Sequence, residues 1–320
     1  MNQITYLLSE KFAYETTIHA DAGPAYARRQ GWTAAPLAKF REAVPHGPTL
    51  IDNRVTVEEA ADISRQLPAL ARHPVYIKVV DPYWEHIRDP YYQWLLSITK
   101  FPNVCFIGPY HATGLTALIC KLSRPDAYVH LPYAYETEKE LPLDTGGRSK
   151  FLVFSGAAHP DFYPERSAML HALHRHWWAS RRVNVLPHPG YPDAGQVVRH
   201  SLTGDRFLDF LAVHRFMYLE PSRDSLEFLK YSECAYAGCL PVGRAPDAFP
   251  AELRELILPL ESTNLRQDLH RLSVMPHSAC VDAARTYREQ LKRHRDPRAL
   301  NLALVAHWQR QLARLGAAAA

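Results

Sequence analysis

The 320-residue chain has no CxxC pair, no HExxH, no GxGxxG and no apolar run near the ~20 residues that a membrane-spanning helix needs. Each absence removes a class of function. Cys105, Cys120, Cys234, Cys239 and Cys280 are odd in number, scattered and set mostly among apolar neighbours. They read as buried free thiols of a reducing compartment rather than as a disulfide framework. The stretch MNQITYLLSEKF lacks the basic segment and long apolar core of a secretory signal. The expectation is a cytoplasmic protein with no transmembrane segment. His171, His174 and His176 crowd one helix, yet no carboxylate completes a ligand set, so no metal is expected. Neither sign of charge dominates, with 37 Lys and Arg against 33 Asp and Glu. The one basic tract, Arg285–Arg298, is interleaved with Glu289 and Asp296 and reads as a solvated helix face. Peripheral contact with an anionic membrane is its sharper alternative. No nucleic-acid motif accompanies it, and no nucleic-acid partner is expected.

What is present is an alternation. Short apolar runs (Ile4–Ser9, Pro48–Asn53, Val75–Val80, Asn103–Gly108, Ala127–Tyr133) alternate with helical patterns, among them Val57–Arg72, Tyr91–Thr99 and Gly114–Leu122. Continuous apolar strands between helices predict a parallel sheet covered on both faces. The polar stretch Glu136–Lys150 reads as a linker. The alternation then restarts with strands Lys150–Gly156, Arg182–Gly190, Arg215–Ser222 and CLPVG. Between and after them come helices Pro164–Trp178, Asp205–Val213, Ser225–Ala237, Ala279–His294 and Arg298–Leu315. The chain therefore reads as two α/β units, 1–145 and 146–320, each the size of a doubly wound domain.

Chemistry concentrates in the second unit. In FSGAAHPDFYPERSAML, a strand ends at Ser155-Gly156 and a helix opens near Pro164 with Arg166 in its first turn. A glycine turn, a positive helix end and an arginine together suit a diphosphate. The missing GxGxxG counts against a nicotinamide cofactor. In LPHPGYPD, His188 stands just past a strand, where it can bond a base, a phosphate or a sugar hydroxyl; a rigid Pro-Gly turn is the plainer reading. In EPSRDSLEFLKYSECAYAGCLPVG, Ser222 or Asp224 can cap a helix that contains Ser225 and Glu227. Lys230 and Glu233, three apart, share a face. A carboxylate there suits two ribose hydroxyls, and a lysine suits a phosphate.

These residues carry a resemblance. ECAYAGCLPVG resembles the donor-site element E-A-x-A-x-G-x-P-V of group-1 glycosyltransferases, and HPGY and YPxR resemble elements of their CgeB-like branch. The resemblance implies an α/β GT-B fold: two Rossmann-like doubly wound domains facing a cleft, with C-terminal helices and the last one (298–315) packing back on the N-terminal domain. It implies a glycosyltransferase of bacterial glycan or polysaccharide biosynthesis. Its donor-binding residues would be Gly156, Arg166, His188, Ser222, Ser225, Glu227, Lys230 and Glu233, with Glu233 on the ribose and Lys230 near the phosphates. It implies no cofactor and no metal beyond a UDP-, GDP- or CMP-linked sugar as co-substrate. One departure is plain. The family's E-x7-E pair needs a glutamate where this chain has Ser225, with Glu227 two residues on.

The first unit is expected to bind a glycan or small-molecule acceptor. Asp21 and His19 are the candidate bases, and His111 matches by position a family histidine near the donor sugar. Glu10, Lys11, Asp52, Arg54 and Asp81 also follow predicted strands. Two other readings stay open: a non-catalytic nucleotide- or sugar-binding protein, and a nucleotide-sugar epimerase.

Overall fold

The structure, a computed structural model, describes residues 3–12, 23–143, 148–190 and 197–318. By compactness the chain divides into two units. Unit 1 is the chain up to Ala134 together with the chain from Arg295 on; unit 2 is Tyr135–His294.

Unit 1 is built on six parallel strands: β1 (Thr5–Leu8), β2 (Thr33–Pro36), β3 (Thr49–Ile51), β4 (Val75–Lys78), β5 (Val104–Gly108) and β6 (Tyr128–His130). Their order is β2-β1-β3-β4-β5-β6. The connecting helices are α1 (Gly23–Gln30), α2 (Phe40–Ala43), α3 (Val57–Gln66), α4 (Pro90–Ile98) and α5 (Gly114–Leu122). Strands β3, β4 and β5 are buried throughout, as their unbroken apolar runs require. Leu7, Ile51, Ile77 and Phe106 of the sheet pack with Ile63 of α3, Leu95 of α4 and Ile119 of α5. Helix α3 opens on a capping box in which Thr56 and Glu59 each satisfy the other's backbone N–H. It stops at Gln66, short of the predicted Arg72. Pro68 cannot donate the next helical hydrogen bond, and Leu67–Leu70 tightens into a 3₁₀ turn. The sequence pattern misses β2, whose small TAAP residues are strand only because they pair with β1.

Unit 2 holds a second parallel sheet of β7 (Lys150–Ser155), β8 (Val183–Leu186), β9 (His214–Leu219) and β10 (Leu240–Gly243), in the order β10-β9-β7-β8. Its helices are α6 (Pro164–Arg175), α7 (Trp177–Ser180), α8 (Gly204–Ala212), α9 (Lys230–Ala237), α10 (Ala251–Arg254), α11 (Leu265–Ser273) and α12 (His277–His294). One face of the sheet packs Val153 and Met217 against Leu208 of α8, Tyr231 and Cys234 of α9, and Tyr287 of α12. The other packs Phe154 and Phe216 against Met169 and Leu173 of α6 and Leu269 of α11.

Two predicted helices change shape. Pro164–Trp178 breaks at His176, whose extended backbone (φ −113°, ψ 94°) separates α6 from α7. The helix expected over Ser225–Ala237 begins only at Lys230. Ser225 sits in the left-handed region at φ +56°, which a helix cannot continue through. Glu227 therefore lies in the loop ahead of α9, and Ser222 and Asp224 cap no helix. The far end of α9 stops as the glycine predicts. Gly238 takes φ +69°, and Arg148 and Arg288 donate to the last carbonyls, Ala235, Tyr236 and Ala237.

The stretch read as a linker is tied down at its described end. Glu136 N–H donates to the Tyr236 hydroxyl, Leu141 N–H to the Tyr236 carbonyl, and Lys292 pairs with Glu140 at 2.8 Å. The final helix, α13 (Pro297–Ala318), joins unit 1 through polar side chains. Trp32 Nε1 donates to Asn301, and Asn301 donates to the Gln30 carbonyl, both at 2.8 Å. His307 Nε2 bonds the Asp126 carbonyl, which can only accept, so Nδ1 accepts from the Tyr76 hydroxyl at 2.8 Å. Among the described residues no helix is long and apolar enough to cross a membrane. All five cysteines are free.

Candidate functional site in unit 2

The strand order fixes where a ligand can sit. From β7 the chain goes to β8 on one side, then crosses to β9 on the other. At such a switch point the loops leave in opposite directions and open a crevice at the carboxyl ends of the strands. Here those ends are Ser155-Gly156 and Leu219-Glu220.

Three predicted residues meet there. Gly156 turns the chain at φ +104° and donates its N–H to the Leu186 carbonyl. A Cβ on it would lie 2.7 Å from Lys230 Nζ and 3.3 Å from Arg166 Nη1. The positive φ favours glycine here, and its missing side chain leaves the space that the two cations share. Arg166, 4% exposed, enters from the first turn of α6. It donates to the Ala157 and Glu220 carbonyls at 3.0 and 2.9 Å and stacks over Tyr163. Lys230 opens α9, half-buried, donates to Ser155 Oγ at 3.1 Å and lies over the Phe207 ring. Burial, then the charge of Arg166, pulls its pKa down to about 8 against the partial support of Glu233. Among the described residues neither cation has a carboxylate in ion-pair contact. Two cations lie together beside the N-terminal ends of α6 and α9, an arrangement that suits an anion.

The other predicted residues spread out. Glu233 lies one turn into α9, half-buried, on the face of Lys230. His188 follows β8, and its Nδ1 accepts from Gly190 N–H at 3.0 Å, closing the Pro-Gly turn. Ser222 and Ser225 are buried and bond backbone: Ser222 Oγ accepts from Asp224 N–H, and Ser225 Oγ from Asp247 N–H at 2.8 Å. Both brace the loops after β9 and β10. Glu227 is also buried in that loop. His111 follows β5 in unit 1, with Nδ1 buried and not hydrogen-bonded. Asp21 and His19 lie outside the described residues.

Sequence reasoning missed a second group at the same switch point. Glu220, 2% exposed, takes Arg244 Nε at 3.1 Å, and Arg244 Nη1 reaches Glu165 at 3.4 Å. Burial, together with the hydrogen bond and charge of Glu165, drives the Glu220 pKa up to about 9, against the pull of Arg244 and Arg166. Glu220 is thus a neutral acid at pH 7 whose own carbonyl holds Arg166. Its signal was its place directly after a buried strand. Among the described residues no group of three or more His, Cys, Asp or Glu is placed to share a metal ion.

No family model and no curated protein matches the chain in sequence. Solved structures do match in shape. The UDP-forming α,α-trehalose-phosphate synthase of Burkholderia xenovorans superposes with a TM-score of 0.55 at 14% identity, over 89% of this chain and 78% of that one. HepE of Anabaena, in complex with UDP and glucose, gives 0.57 at 12% identity over 95% and 98%. The E. coli trehalose-6-phosphate protein bound with UDP-2-fluoro glucose gives 0.56 at 12% identity over 84% and 75%. The fold is GT-B. At these identities the likeness is one of fold, and the chemistry has to be argued from the residues.

Proposed function

We propose that the chain is a glycosyltransferase that draws a sugar from a nucleotide-linked donor held by unit 2 and passes it to a hydroxyl acceptor held by unit 1. The observation that carries this reading is the pair of cations, Arg166 and Lys230, converging over Gly156 with no carboxylate in ion-pair contact among the described residues. A nucleoside diphosphate supplies the missing charge. As the bond from the anomeric carbon to the diphosphate breaks, negative charge grows on the leaving oxygen. Fixed N–H donors and a positive helix end are stabilising at that moment and need no reorganisation. Lys230, with its pKa near 8, becomes fully protonated as the diphosphate arrives. Glu233, on the same face of α9, is read as the group that takes two ribose hydroxyls. The cations supply the charge stabilisation, so the reaction is read as metal-independent. Glycan biosynthesis of the CgeB-like kind is the pathway favoured by the sequence resemblance, and free, mostly buried thiols favour a cytoplasmic setting.

The test is a thermal-shift screen with UDP, GDP, dTDP, ADP and CMP on the native chain and on Glu233→Ala. A nucleotide that binds only the folded state stabilises by ~2.7 kcal/mol at a hundredfold excess over Kd. One nucleotide should raise the melting point, and the variant should lose most of the shift. No shift with any of the five at millimolar levels rejects the reading.

A second reading, a binding protein without turnover, is favoured by one observation. Ser225, where the resemblance wants a glutamate, is 6% exposed and committed to the Asp247 backbone. Release of nucleoside diphosphate from a bound donor would remove that reading.

A further inference from the structure

Unit 1 has its own switch point. The chain runs from β1 to β2 on one side and then crosses to β3 on the other, so the crevice lies beyond Leu8-Ser9 and Ile51-Asp52. On the β1 side Ser9 is fully engaged. Ser9 Oγ donates to Glu59 Oε1 at 2.7 Å and accepts from Lys11 N–H, and Glu59 Oε2 takes the Thr56 N–H.

The β3 side differs. Asp52 is fully buried. Its Oδ2 accepts the Gly23 N–H at 2.9 Å, which caps the N-terminus of α1. The next residue of that helix, Pro24, has no N–H to offer the second oxygen. The nearby Tyr91 hydroxyl donates its one proton to the Lys78 carbonyl. Asp52 Oδ1 is left buried with no hydrogen-bond partner, and so is Oδ1 of the adjacent Asn53. Two strands along, His111 Nδ1, a donor or an acceptor according to the tautomer, is also buried without a hydrogen bond. A buried acceptor with no donor is costly, and Asp52 and Asn53 set two of them side by side at the end of β3.

These atoms need donors. A helix cap alone would not explain Asp52, because the cap uses one oxygen. A second cation is disfavoured. Ile51 pairs with Ile77, so Asp52 and Lys78 are register neighbours, and Lys78 is already buried there with its ammonium 3.8 Å from the centre of the Tyr26 ring. Neutral hydroxyls satisfy the acceptors without adding charge, and one sugar ring presents several of them.

We infer that Asp52 anchors a second ligand site, at the switch point of unit 1, which binds a neutral sugar ring through its hydroxyls. Taken as the acceptor, that sugar rests on the transferase reading above; the site itself does not.

Saturation-transfer NMR on the full chain tests it. The probes are methyl α-glucoside, methyl α-galactoside, methyl α-mannoside and N-acetylglucosamine at tens of millimolar. At least one should bind, and Asp52→Asn should weaken it about tenfold or more, as expected for one hydrogen bond to a charged group. The side-chain amide oxygen of that variant can still accept from Gly23 N–H, so folding is checked by the melting point. If that variant fails to fold, Asn53→Ala takes its place and should weaken the same sugar severalfold. No binding by any of the four sugars, or binding unchanged in the folded variant, overturns the inference. The two readings fail separately. Sugar binding that needs Asp52, without any nucleotide shift, rejects the transferase and keeps the site. A nucleotide shift without sugar binding does the reverse.

Discussion

The two sheets share a topology and differ in what their switch points lack. In unit 2 the crevice gathers cations: Arg166 and Lys230 meet over Gly156, and the buried carboxyl of Glu220, at the end of β9, has its pKa pushed up to about 9. In unit 1 the crevice gathers acceptors: Asp52 and Asn53 each hold an oxygen with no donor. One site asks for an anion, the other for hydroxyls. The same winding therefore serves two ligands of opposite demand, and the difference lies in a few residues at strand ends rather than in the fold.

The strongest way to break the comparison is to remove the demand in unit 2. Lys230→Ala should lower nucleotide affinity by about tenfold to a hundredfold, the range for a hydrogen bond to a charged group. It should lower donor turnover further, because the charge matters most on the leaving group. The fold should survive, since the change removes a cation that burial already disfavours. Sugar binding at unit 1 should be untouched. Calorimetric titration with the nucleotide found in the screen, on wild type and variant, measures the first effect. An affinity within about twofold of wild type would mean that the cation pair is not the diphosphate site.

The unit 2 site was readable where its parts are local. Gly156, Arg166, Lys230 and Glu233 each belong to one strand-turn-helix pattern, and α9 ends at Gly238 as its sequence directs. What was illegible depends on strand order. Glu165, Glu220 and Arg244 come from three segments, and only the placement of β9 between β7 and β10 brings them together. The early start assigned to α9 has a similar cause. SLEFLKYSE has good helical spacing, but Ser225 is held in a left-handed turn with its hydroxyl on Asp247, a contact 22 residues away that no local pattern contains. The orphaned oxygen of Asp52 belongs to the same class, since it follows from where α1 lands.

A smaller effect sharpens the electrostatic side. Glu220 has its folded pKa raised from 4.5 to about 9. Between those values the unfolded chain has lost the proton and the folded chain keeps it. The stability this group contributes is therefore fully present below pH 4.5 and drains away as the pH climbs through about 9. Glu220→Gln keeps a neutral hydrogen-bonding group at all pH values. Its melting temperature should fall less than that of the wild type between neutral and alkaline pH, with the gap widest near the top of that range. Parallel curves would show that Glu220 is ionised at neutral pH and that Arg244 outweighs its burial.

The smallest expected signal separates the two sites most cleanly. Lys230 in the free protein titrates near pH 8. An arriving diphosphate favours its charged form and raises that value, so binding at pH 8 should take up about half a proton. Titrations in two buffers of different ionisation enthalpy measure that fraction directly. Lys230→Arg binds the same anion with a side chain that is always charged, so its uptake should vanish while most of the affinity remains. Glu220 also titrates in the alkaline range but is unchanged in that variant, so residual uptake would be assigned to it. A neutral sugar bound at Asp52 brings no charge to unit 1, so its binding should exchange no proton with the buffer at this pH. Proton uptake with the nucleotide and none with the sugar would mean that the two switch points are tuned to opposite ligands; equal linkage for both would show that they are not.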